Sequence, residues 1–381
     1  MAGCVPVRPE SVRSVASARA AGLRYVSADE PGLARVRRGD GFSYRDAKGR
    51  TVRNARTLER IRALVIPPAW TEVWICADED GHLQATGRDA RGRKQYRYHQ
   101  RWTAQRDSGK YGHTIDFALA LPSIRRRVAA DLKKAPLSRE FVLATVVRLL
   151  EKTLMRIGNK EYARANKSFG LTTLQDQHVR ITGGSMRFTF RAKSGIMQDI
   201  EVNDATLARI VAKCRGIPGR ALFQYLAPNG KGRCVDSTDV NAYLNEITGQ
   251  PFTAKNFRTW AGTVLAAAAL CEFAAPASET AFKRCVVQAV DSTAAKLGNT
   301  RAVCRKSYVH PAVFDAFRSG VTIQSPEVRA AGPRRAIFSS QEAAVLALLR
   351  AKSGELFRAK SKEQRAKSAE QRAERKIAKA A

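Results

Sequence analysis

The sequence predicts an α+β protein, with a small β-rich domain first and a larger, mainly helical domain after it. In the first third of the chain, short alternating apolar and polar runs are separated by Gly-containing turns. From about Asp107 the apolar residues recur at helical spacing, and a β-rich segment at 178–202 interrupts the helices. A length of 381 residues favours two domains. We place a flexible arm at 1–21, a β-rich N-terminal domain at 22–106, a catalytic domain at 107–320 and a basic C-terminal extension at 321–381.

Short strands joined by turns dominate the N-terminal domain. Alternation and turn residues predict strand pairs at 42–45 with 50–53 and at 72–77 with 82–86, and a further strand at 94–98. The run 57–64 has a helical pattern that Pro67 and Pro68 end. These elements indicate a small antiparallel sheet with one helix.

Helical periods return in the second domain. Ser138 is a typical N-cap for an amphipathic helix whose apolar positions continue to Ile157. Three strands, at 178–182, 185–191 and 196–202, are spaced as an antiparallel meander. Helical patterns follow at 204–214, 237–247, 255–273, 278–297 and 339–350.

Positive charge is spread along the whole chain. The sequence has 67 Lys and Arg against 34 Asp and Glu, a formal net charge of +33. Residues 1–110 carry +10, residues 111–320 carry +15 and residues 351–381 carry +6. Such a charge argues against a generic metabolic enzyme and for a nucleic-acid partner that both domains contact. We expect the last segment to be solvated or bound to nucleic acid.

Cysteine and histidine spacing favours neither a zinc site nor a disulfide framework. The seven cysteines include no Cys-x-x-Cys pair, and the five histidines lie far apart. The acidic run Asp78–Asp80 could suggest magnesium, but its position between two strands favours a hairpin turn. The most apolar stretch, Trp260–Phe273, is too short to span a bilayer. We therefore expect no cofactor, no metal, no membrane contact and a cytoplasmic location.

Four segments combine basic residues with a phenol that could act as a nucleophile. Arg156 lies at a helix end, Lys193 at a hairpin turn and Arg258 near a helix start, and Tyr308 follows a basic run. Each alone has an ordinary structural explanation, as a surface or capping charge or as a packed ring. Their order and local sequence together are more specific than any one of them.

In these segments, the chain resembles the type IB DNA topoisomerases, specifically their compact poxvirus-like bacterial branch. The resemblance runs from about Leu23 to Phe317 and includes the segments Asn166–Leu174 and Gln95–His99. It implies a fold like that of tyrosine recombinases and type IB topoisomerases. A monomer would form a C-shaped clamp around double-stranded DNA, associated with the nucleoid.

The resemblance also implies a role for each candidate catalytic residue. Tyr308 would attack a DNA phosphate and form a 3′-phosphotyrosyl bond, while Arg156 and Arg258 bind the non-bridging oxygens. Lys193 would protonate the leaving 5′ oxygen. Asn299 stands where the family commonly has a histidine, and it can donate an N–H but carries no charge. The reaction would relax positive and negative supercoils without ATP or metal.

Six further residues match DNA-contacting positions of the family. Strand alternation places Tyr96 and Tyr98 on one face and Gln95 on the other, so not all three need reach bases. The alternative, that both tyrosines are core residues, stays open from the sequence. The complete set is Gln95, Tyr96, Tyr98, Tyr162, Gly195 and Lys255.

Two other functions are compatible with the sequence. A tyrosine recombinase-like strand transferase shares the Arg–Lys–Arg–Tyr chemistry, although the β-rich N-terminal half argues against it. A non-catalytic architectural DNA-binding protein would need only the positive charge. A magnesium-dependent reaction with a 5′ link would instead indicate the metal-dependent class of topoisomerase.

Overall fold

The structure is a computed structural model that describes residues 9–217, 219–332, 338–352 and 354. The chain divides into two compact units, Met1–Gly112 and His113–Ala381. The first eight residues of the expected arm and most of the expected basic tail lie outside the described residues.

The first unit is built on one five-stranded antiparallel sheet with the strand order β2-β1-β3-β4-β5. Its helices are α1 (Pro9–Ala20) and α2 (Ala55–Ala63), and α3 (Gln100–Asp131) begins in it. The strands are β1 (Gly32–Arg38), β2 (Gly41–Arg45), β3 (Thr71–Cys76), β4 (Leu83–Arg88) and β5 (Lys94–Tyr98).

One face of this sheet packs on α2. Asn54 caps the helix by accepting a hydrogen bond from the Thr57 N–H. Ile61 of α2 is buried in one cluster with sheet residues, because alternate positions on the strands point to the same face. That cluster is Leu33, Ile61, Val73, Ile75 and Ala85.

Two parts of the first unit differ from the sequence prediction. Pro9–Ala20 is helical where we expected an arm without regular structure. Ala18 of this helix is buried with Leu23 and Trp102, which gives it a packing partner. Strand β2 pairs mainly with β1, whereas Thr51 makes only an isolated bridge to Arg45.

The second unit is mainly helical, with a three-stranded meander as predicted. Its strands are β6 (Val179–Thr182), β7 (Ser185–Arg191), β8 (Met197–Asn203), and the short pair β9 (Gln224–Leu226) and β10 (Gly232–Cys234). Its helices after α3 are α4 (Arg139–Thr153), α5 (Lys160–Asn166), α6 (Ala205–Lys213), α7 (Ser237–Thr248), α8 (Ala254–Leu270), α9 (Glu279–Leu297), α10 (Arg301–Tyr308), α11 (Pro311–Arg318), α12 (Pro326–Ala330) and α13 (340–352).

A single apolar core joins these elements and includes the C-terminal helices. Val328 of α12 and residues 344–349 of α13 are buried in it. The sequence assigned 321–381 to a basic extension, so that boundary differs from the structure. The apolar run 344–349 is followed directly by a basic segment, and for that reason the sequence prediction placed both in one extension.

Helix α4 begins and ends at identifiable signals. Ser138 is the N-cap, as predicted, and its side chain accepts a hydrogen bond from the Phe141 N–H. The helix ends at Thr153, one turn before Ile157, because Leu154 adopts a left-handed conformation with φ 54°. The residues after Leu154 therefore form an irregular segment that contains Arg156.

Among the described residues, no helix is both long enough and apolar enough to cross a membrane.

Candidate active site

The backbone around Arg156 is held by the segment Ser168–Thr172. The Leu171 N–H donates to the carbonyl oxygen of Arg156 at 2.8 Å, and the Thr172 N–H donates to that of Ile157 at 2.7 Å. A Cβ at Gly170 would lie 2.6 Å from the Arg156 carbonyl oxygen. Only glycine permits this backbone approach, which explains part of the family-like segment 166–174.

The same segment also holds the hairpin that carries Lys193. The Phe169 N–H donates to the Arg191 carbonyl at 2.8 Å, and the Ser168 hydroxyl donates to the Ala192 carbonyl at 2.7 Å. Arg156 and the base of the Lys193 hairpin are therefore fixed to one short piece of backbone.

Arg258 is a buried arginine on α8, with only 4% of its surface exposed. Its Nη1 donates to the carbonyl oxygen of Leu154, and its Nη2 donates to that of Leu297 at 2.6 Å. Its guanidinium carbon lies 5.2 Å from the centre of the Tyr308 ring. Burying a charge is costly without partners, so these carbonyls fix where the guanidinium lies.

Asn299 is placed by the end of α9. Gly298 ends that helix in the left-handed conformation, with φ 58°, and the Asn299 N–H donates to the Ala294 carbonyl at 2.9 Å. Nη2 of Arg156 donates to the Gly298 carbonyl at 2.8 Å and to Oδ1 of Asn299. Because arginine only donates, Arg156 sets the orientation of the amide and leaves Nδ2 for another acceptor.

Two buried donors at this cluster have no partner among the described residues. They are Nε of Arg258 and Nδ2 of Asn299. Buried polar atoms are nearly always hydrogen-bonded, so two unpaired donors in one cluster call for an explanation. Both atoms suit an anionic ligand with several acceptor oxygens.

Tyr308 is the last residue of α10 and is half-buried. Thr300 caps the start of this helix by accepting from the Val303 N–H. The Tyr308 backbone lies against α8, where a Cβ at Gly262 would lie 2.8 Å from the Tyr308 carbonyl oxygen.

Electrostatics at the cluster favour an anion. Burial lowers the pKa of Arg156, and the positive charge of Arg258 lowers it further. Two desolvated cations that repel each other are stabilised together when a negative group binds between them.

Lys193 lies on an exposed turn beside this cluster. Ser194 and Gly195 have φ values of 67° and 78°, so the turn needs the freedom of glycine at position 195. A pocket of about 570 Å³ is lined by Arg156 and Arg258 and also by Ala192 and Met197, which flank the turn. The structure thus brings Arg156, Arg258, Asn299 and Tyr308 together and puts the Lys193 hairpin at the pocket's edge.

The candidate DNA-contacting residues are exposed, apart from Gln95. Tyr96 and Tyr98 are 48% and 41% exposed and stack on each other with ring centres 6.0 Å apart, so neither is a core residue. Gln95 donates to Asp89 at 2.8 Å within its own hairpin. Tyr162 and Lys255, at the starts of α5 and α8, are both exposed.

The acidic residues at the β3–β4 turn form salt bridges with arginines. Asp78 pairs with Arg24, and Asp80 pairs with Arg101. The third acidic residue, Glu79, pairs with Arg56. Across the described part of the chain, no group of three or more His, Cys, Asp and Glu residues is arranged to hold a metal ion.

Comparison with known proteins identifies the family of this chain. The family model "Eukaryotic DNA topoisomerase I, catalytic core" matches residues 95–329, and "Bacterial DNA topoisomerase IB, N-terminal domain" matches residues 41–89. DNA topoisomerase 1B of Acanthamoeba polyphaga mimivirus is 31% identical over 285 residues, which cover 73% of this chain and 85% of the relative. The chain belongs to the type IB DNA topoisomerases.

More distant relatives of this topoisomerase are also viral. DNA topoisomerase 1B of Vaccinia virus (strain Copenhagen) is 18% identical over 60% of this chain and 70% of the relative. A crystal structure of XerH site-specific recombinase bound to palindromic difH substrate is 13% identical and covers 49% of this chain and 47% of its own, with a TM-score of 0.32.

Several residues contribute to the topoisomerase site in ways that the sequence does not predict. The Leu154 and Leu297 carbonyls have no sequence signal, and Gln198 was not singled out although its amide borders Gly298. Gly262 did have a signal, since a glycine inside an alanine-rich helix often marks a close approach of another backbone.

Proposed function

We propose that this topoisomerase relaxes positive and negative supercoils by transiently cleaving one strand of double-stranded DNA. A 3′-phosphotyrosyl bond to Tyr308 would hold the cleaved end while the other end rotates, and the reaction would need neither ATP nor metal. The observation that supports this best is the pair of unpartnered buried donors, Arg258 Nε and Asn299 Nδ2, in the cluster where the Arg258 guanidinium lies 5.2 Å from the Tyr308 ring.

Cleavage exchanges one phosphodiester for another. The Tyr308 oxygen forms a bond to phosphorus as the bond from phosphorus to the 5′ oxygen breaks. The phenol loses its proton, and the leaving 5′ oxygen gains one. Religation reverses each transfer, so the bond energy is conserved and no external energy source is required.

Positive groups would lower the barrier at two points. A tyrosine phenol has an ordinary pKa of about 10, so nearby cations favour the reactive phenolate. Arg156 and Arg258 would donate to the non-bridging oxygens, where negative charge builds up in the transition state. Asn299 Nδ2 would add a neutral donor to the same phosphate.

Lys193 would act as the general acid for the leaving 5′ oxygen. Its exposed turn at the edge of the pocket would fold over a bound DNA strand and bring the ammonium to the 5′ oxygen. In religation the neutral amine would take the proton back.

A single chain would carry out this reaction. Arg156, Lys193, Arg258, Asn299 and Tyr308 all belong to the second unit, so we infer an active monomer. The positive charge supports phosphate binding along duplex DNA and a nucleoid-associated, cytoplasmic location.

The deciding experiment is relaxation of supercoiled plasmid in the presence of EDTA. We expect relaxation of both signs of supercoil, and a denaturant-trapped adduct that links the 3′ phosphate to a peptide containing Tyr308. A magnesium requirement with a 5′ link would refute the proposal. Strand transfer between duplexes without relaxation would support a recombinase instead.

Replacing Asn299 with histidine should add a pH dependence to the cleavage rate. A histidine has an ordinary pKa of about 6.5, and the charge of Arg156 beside it would hold that pKa at or below this value. A charged donor binds phosphate more strongly than an amide does, by about 1 kcal/mol or roughly five-fold in rate. Single-turnover rates between pH 5.5 and 8 should therefore give an Asn299→His to wild-type ratio that rises as the pH falls. A constant ratio would contradict the assigned donor role.

Substitution of Tyr96 should weaken DNA binding without changing its salt dependence. Tyr96→Ala removes an exposed ring that carries no charge, so we expect Kd to rise by about three- to ten-fold with an unchanged salt slope. Gln95→Ala is the matched control on the opposite face, where the side chain binds Asp89. Fluorescence anisotropy with duplex DNA measures both, and a larger loss for Gln95→Ala would reverse the assignment.

A further inference from the structure

We infer that Gly262 and Thr263 of α8 are positioning residues that set where Tyr308 lies relative to Arg258. This inference rests on the proposed function, because it assigns the two residues to the reaction of Tyr308. Arg258 and Gly262 are one helical turn apart on the same helix. Helix α8 therefore carries both a phosphate-binding group and the surface that the Tyr308 backbone contacts.

Gly262 allows the Tyr308 backbone to touch the helix. A Cβ at position 262 would lie 2.8 Å from the Tyr308 carbonyl oxygen and 3.2 Å from the Tyr308 Cβ. It would also lie 3.1 Å from a methyl carbon of Leu297, whose carbonyl binds Arg258. Any side chain at 262 therefore pushes on the Tyr308 backbone and on the side chain of Leu297.

Thr263 holds the chain just after the nucleophile. Its hydroxyl is fully buried and accepts a hydrogen bond at 3.1 Å from the N–H of His310, two residues beyond Tyr308. The hydroxyl donates to the Thr259 carbonyl oxygen at 2.8 Å, and the hydroxyl oxygen lies 3.4 Å from the Tyr308 carbonyl oxygen. This places the end of α10 on α8 through a polar contact as well as through packing.

His310 then extends the same arrangement into the next helix. Its ring is buried and caps α11 by accepting from the Ala312 N–H at 3.1 Å. The backbone is consequently fixed on the C-terminal side of Tyr308. Precise placement matters because a shift of about 1 Å can cost about 100-fold in rate.

The test compares Thr263→Val with Thr293→Val. Both replace a buried hydroxyl that donates to the carbonyl four residues earlier, at 2.8 Å in each case. Only Thr263 also accepts from the His310 N–H. We measure the single-turnover rate of covalent adduct formation, the Kd for DNA in a Tyr308→Phe background, and the melting temperature.

We expect Thr263→Val to slow cleavage by about 10- to 100-fold with Kd changed less than two-fold. Thr263→Ser, which keeps the hydroxyl, should recover the rate to within about three-fold, and Thr293→Val should cleave at the wild-type rate. Gly262→Ala provides a second arm that removes no hydrogen-bonding group and still displaces Tyr308, so it should also slow cleavage at unchanged Kd.

Two failures are distinguishable. If the wild-type protein forms no adduct on Tyr308, the proposed function is wrong and this inference falls with it. If the wild-type protein forms the adduct and both Thr263→Val and Gly262→Ala cleave as fast as Thr293→Val, only the positioning role is wrong. If Thr263→Val unfolds, Gly262→Ala decides: slower cleavage at unchanged Kd supports the positioning role, and cleavage at the wild-type rate refutes it.

Discussion

Tyr308→Phe is expected to abolish the covalent adduct and all plasmid relaxation while DNA binding survives. The phenol oxygen is the only atom removed, and the proposed reaction has no other group to form the bond to phosphorus. The aromatic ring that packs at 5.2 Å from the Arg258 guanidinium is retained, so the fold and the charge of the site should persist. We expect the Kd for duplex DNA to stay within about two-fold, since phosphate contacts dominate such affinity.

The matched control is Tyr243→Phe. Tyr243 is a buried tyrosine of the same unit whose hydroxyl donates to Asp131 at 2.8 Å. Burial and this bond to a carboxylate raise the pKa of Tyr243, which marks it as a structural phenol. Its loss should lower stability by about 1–2 kcal/mol and leave the adduct intact. Adduct formation or relaxation by purified Tyr308→Phe would overturn the assignment of the nucleophile.

Glu342→Gln is expected to lower the free energy of unfolding by about 2–3 kcal/mol at pH 7, because it breaks a largely buried ion pair. Glu342 of α13 accepts two hydrogen bonds from Arg125 of α3, at 2.7 and 3.1 Å. It also accepts from the indole of Trp260 on α8 at 3.1 Å. Without the charge at position 342, the largely buried Arg125 still pairs with Glu151 on α4.

The loss should depend on pH in a defined direction. Burial raises the pKa of Glu342, but the hydrogen bonds from Arg125, Ser339 and Trp260 outweigh it and hold the pKa below the ordinary value of 4.5. A lowered pKa in the folded state contributes stability above the unfolded pKa and loses it as the pH falls through the folded value. The difference between wild type and Glu342→Gln should therefore be constant above about pH 5.5 and shrink below about pH 4.5.

Urea unfolding between pH 3.5 and 7 measures this difference. Glu279→Gln is the control, because Glu279 pairs with Arg318 and Lys283 on the surface, where such pairs contribute less than about 1 kcal/mol. Equal losses for the two variants would mean that α13 is not held through Glu342.

The sequence was most informative where structure depends on neighbours along the chain. Strand β5 and the β6–β7–β8 meander follow from alternation and turn residues, and α4 follows from the Ser138 cap. In each case the signal and the element lie within a few residues of each other. The exposure of Tyr96 and Tyr98 was left open, because alternation gives the face of a strand but not what covers it.

Long-range contacts were beyond sequence reasoning. Glu342 of α13 contacts α3 and α8, and nothing in the apolar run 344–349 identifies those partners. The end of α4 at Leu154 also lacked a signal, because glycine is the usual left-handed residue at a helix end and leucine is not.

The ordered motifs identify the residues of the candidate site but not the contacts between them. The resemblance supplied Arg156, Lys193, Arg258 and Tyr308, with Asn299 as a departure from the family pattern. It did not indicate that Arg156 orients the Asn299 amide, or that Thr263 accepts from the chain beyond Tyr308. These contacts join residues more than 40 positions apart, so only the folded chain displays them.

The helix ends at Leu154 and Leu297 give Arg258 an internal counterion. The carbonyls at the C-terminus of a helix carry about half a negative charge. Arg258 binds one carbonyl at the end of α4 and one at the end of α9, so the partial negative charges of two helix ends face its guanidinium. In the DNA-free enzyme, the buried Arg258 guanidinium is thus stabilised by backbone carbonyls, without a bound chloride or a carboxylate. A carboxylate in that place would carry a full negative charge and repel the DNA phosphate. A helix-end carbonyl carries only a partial charge, so the guanidinium can bind the carbonyl and the phosphate together.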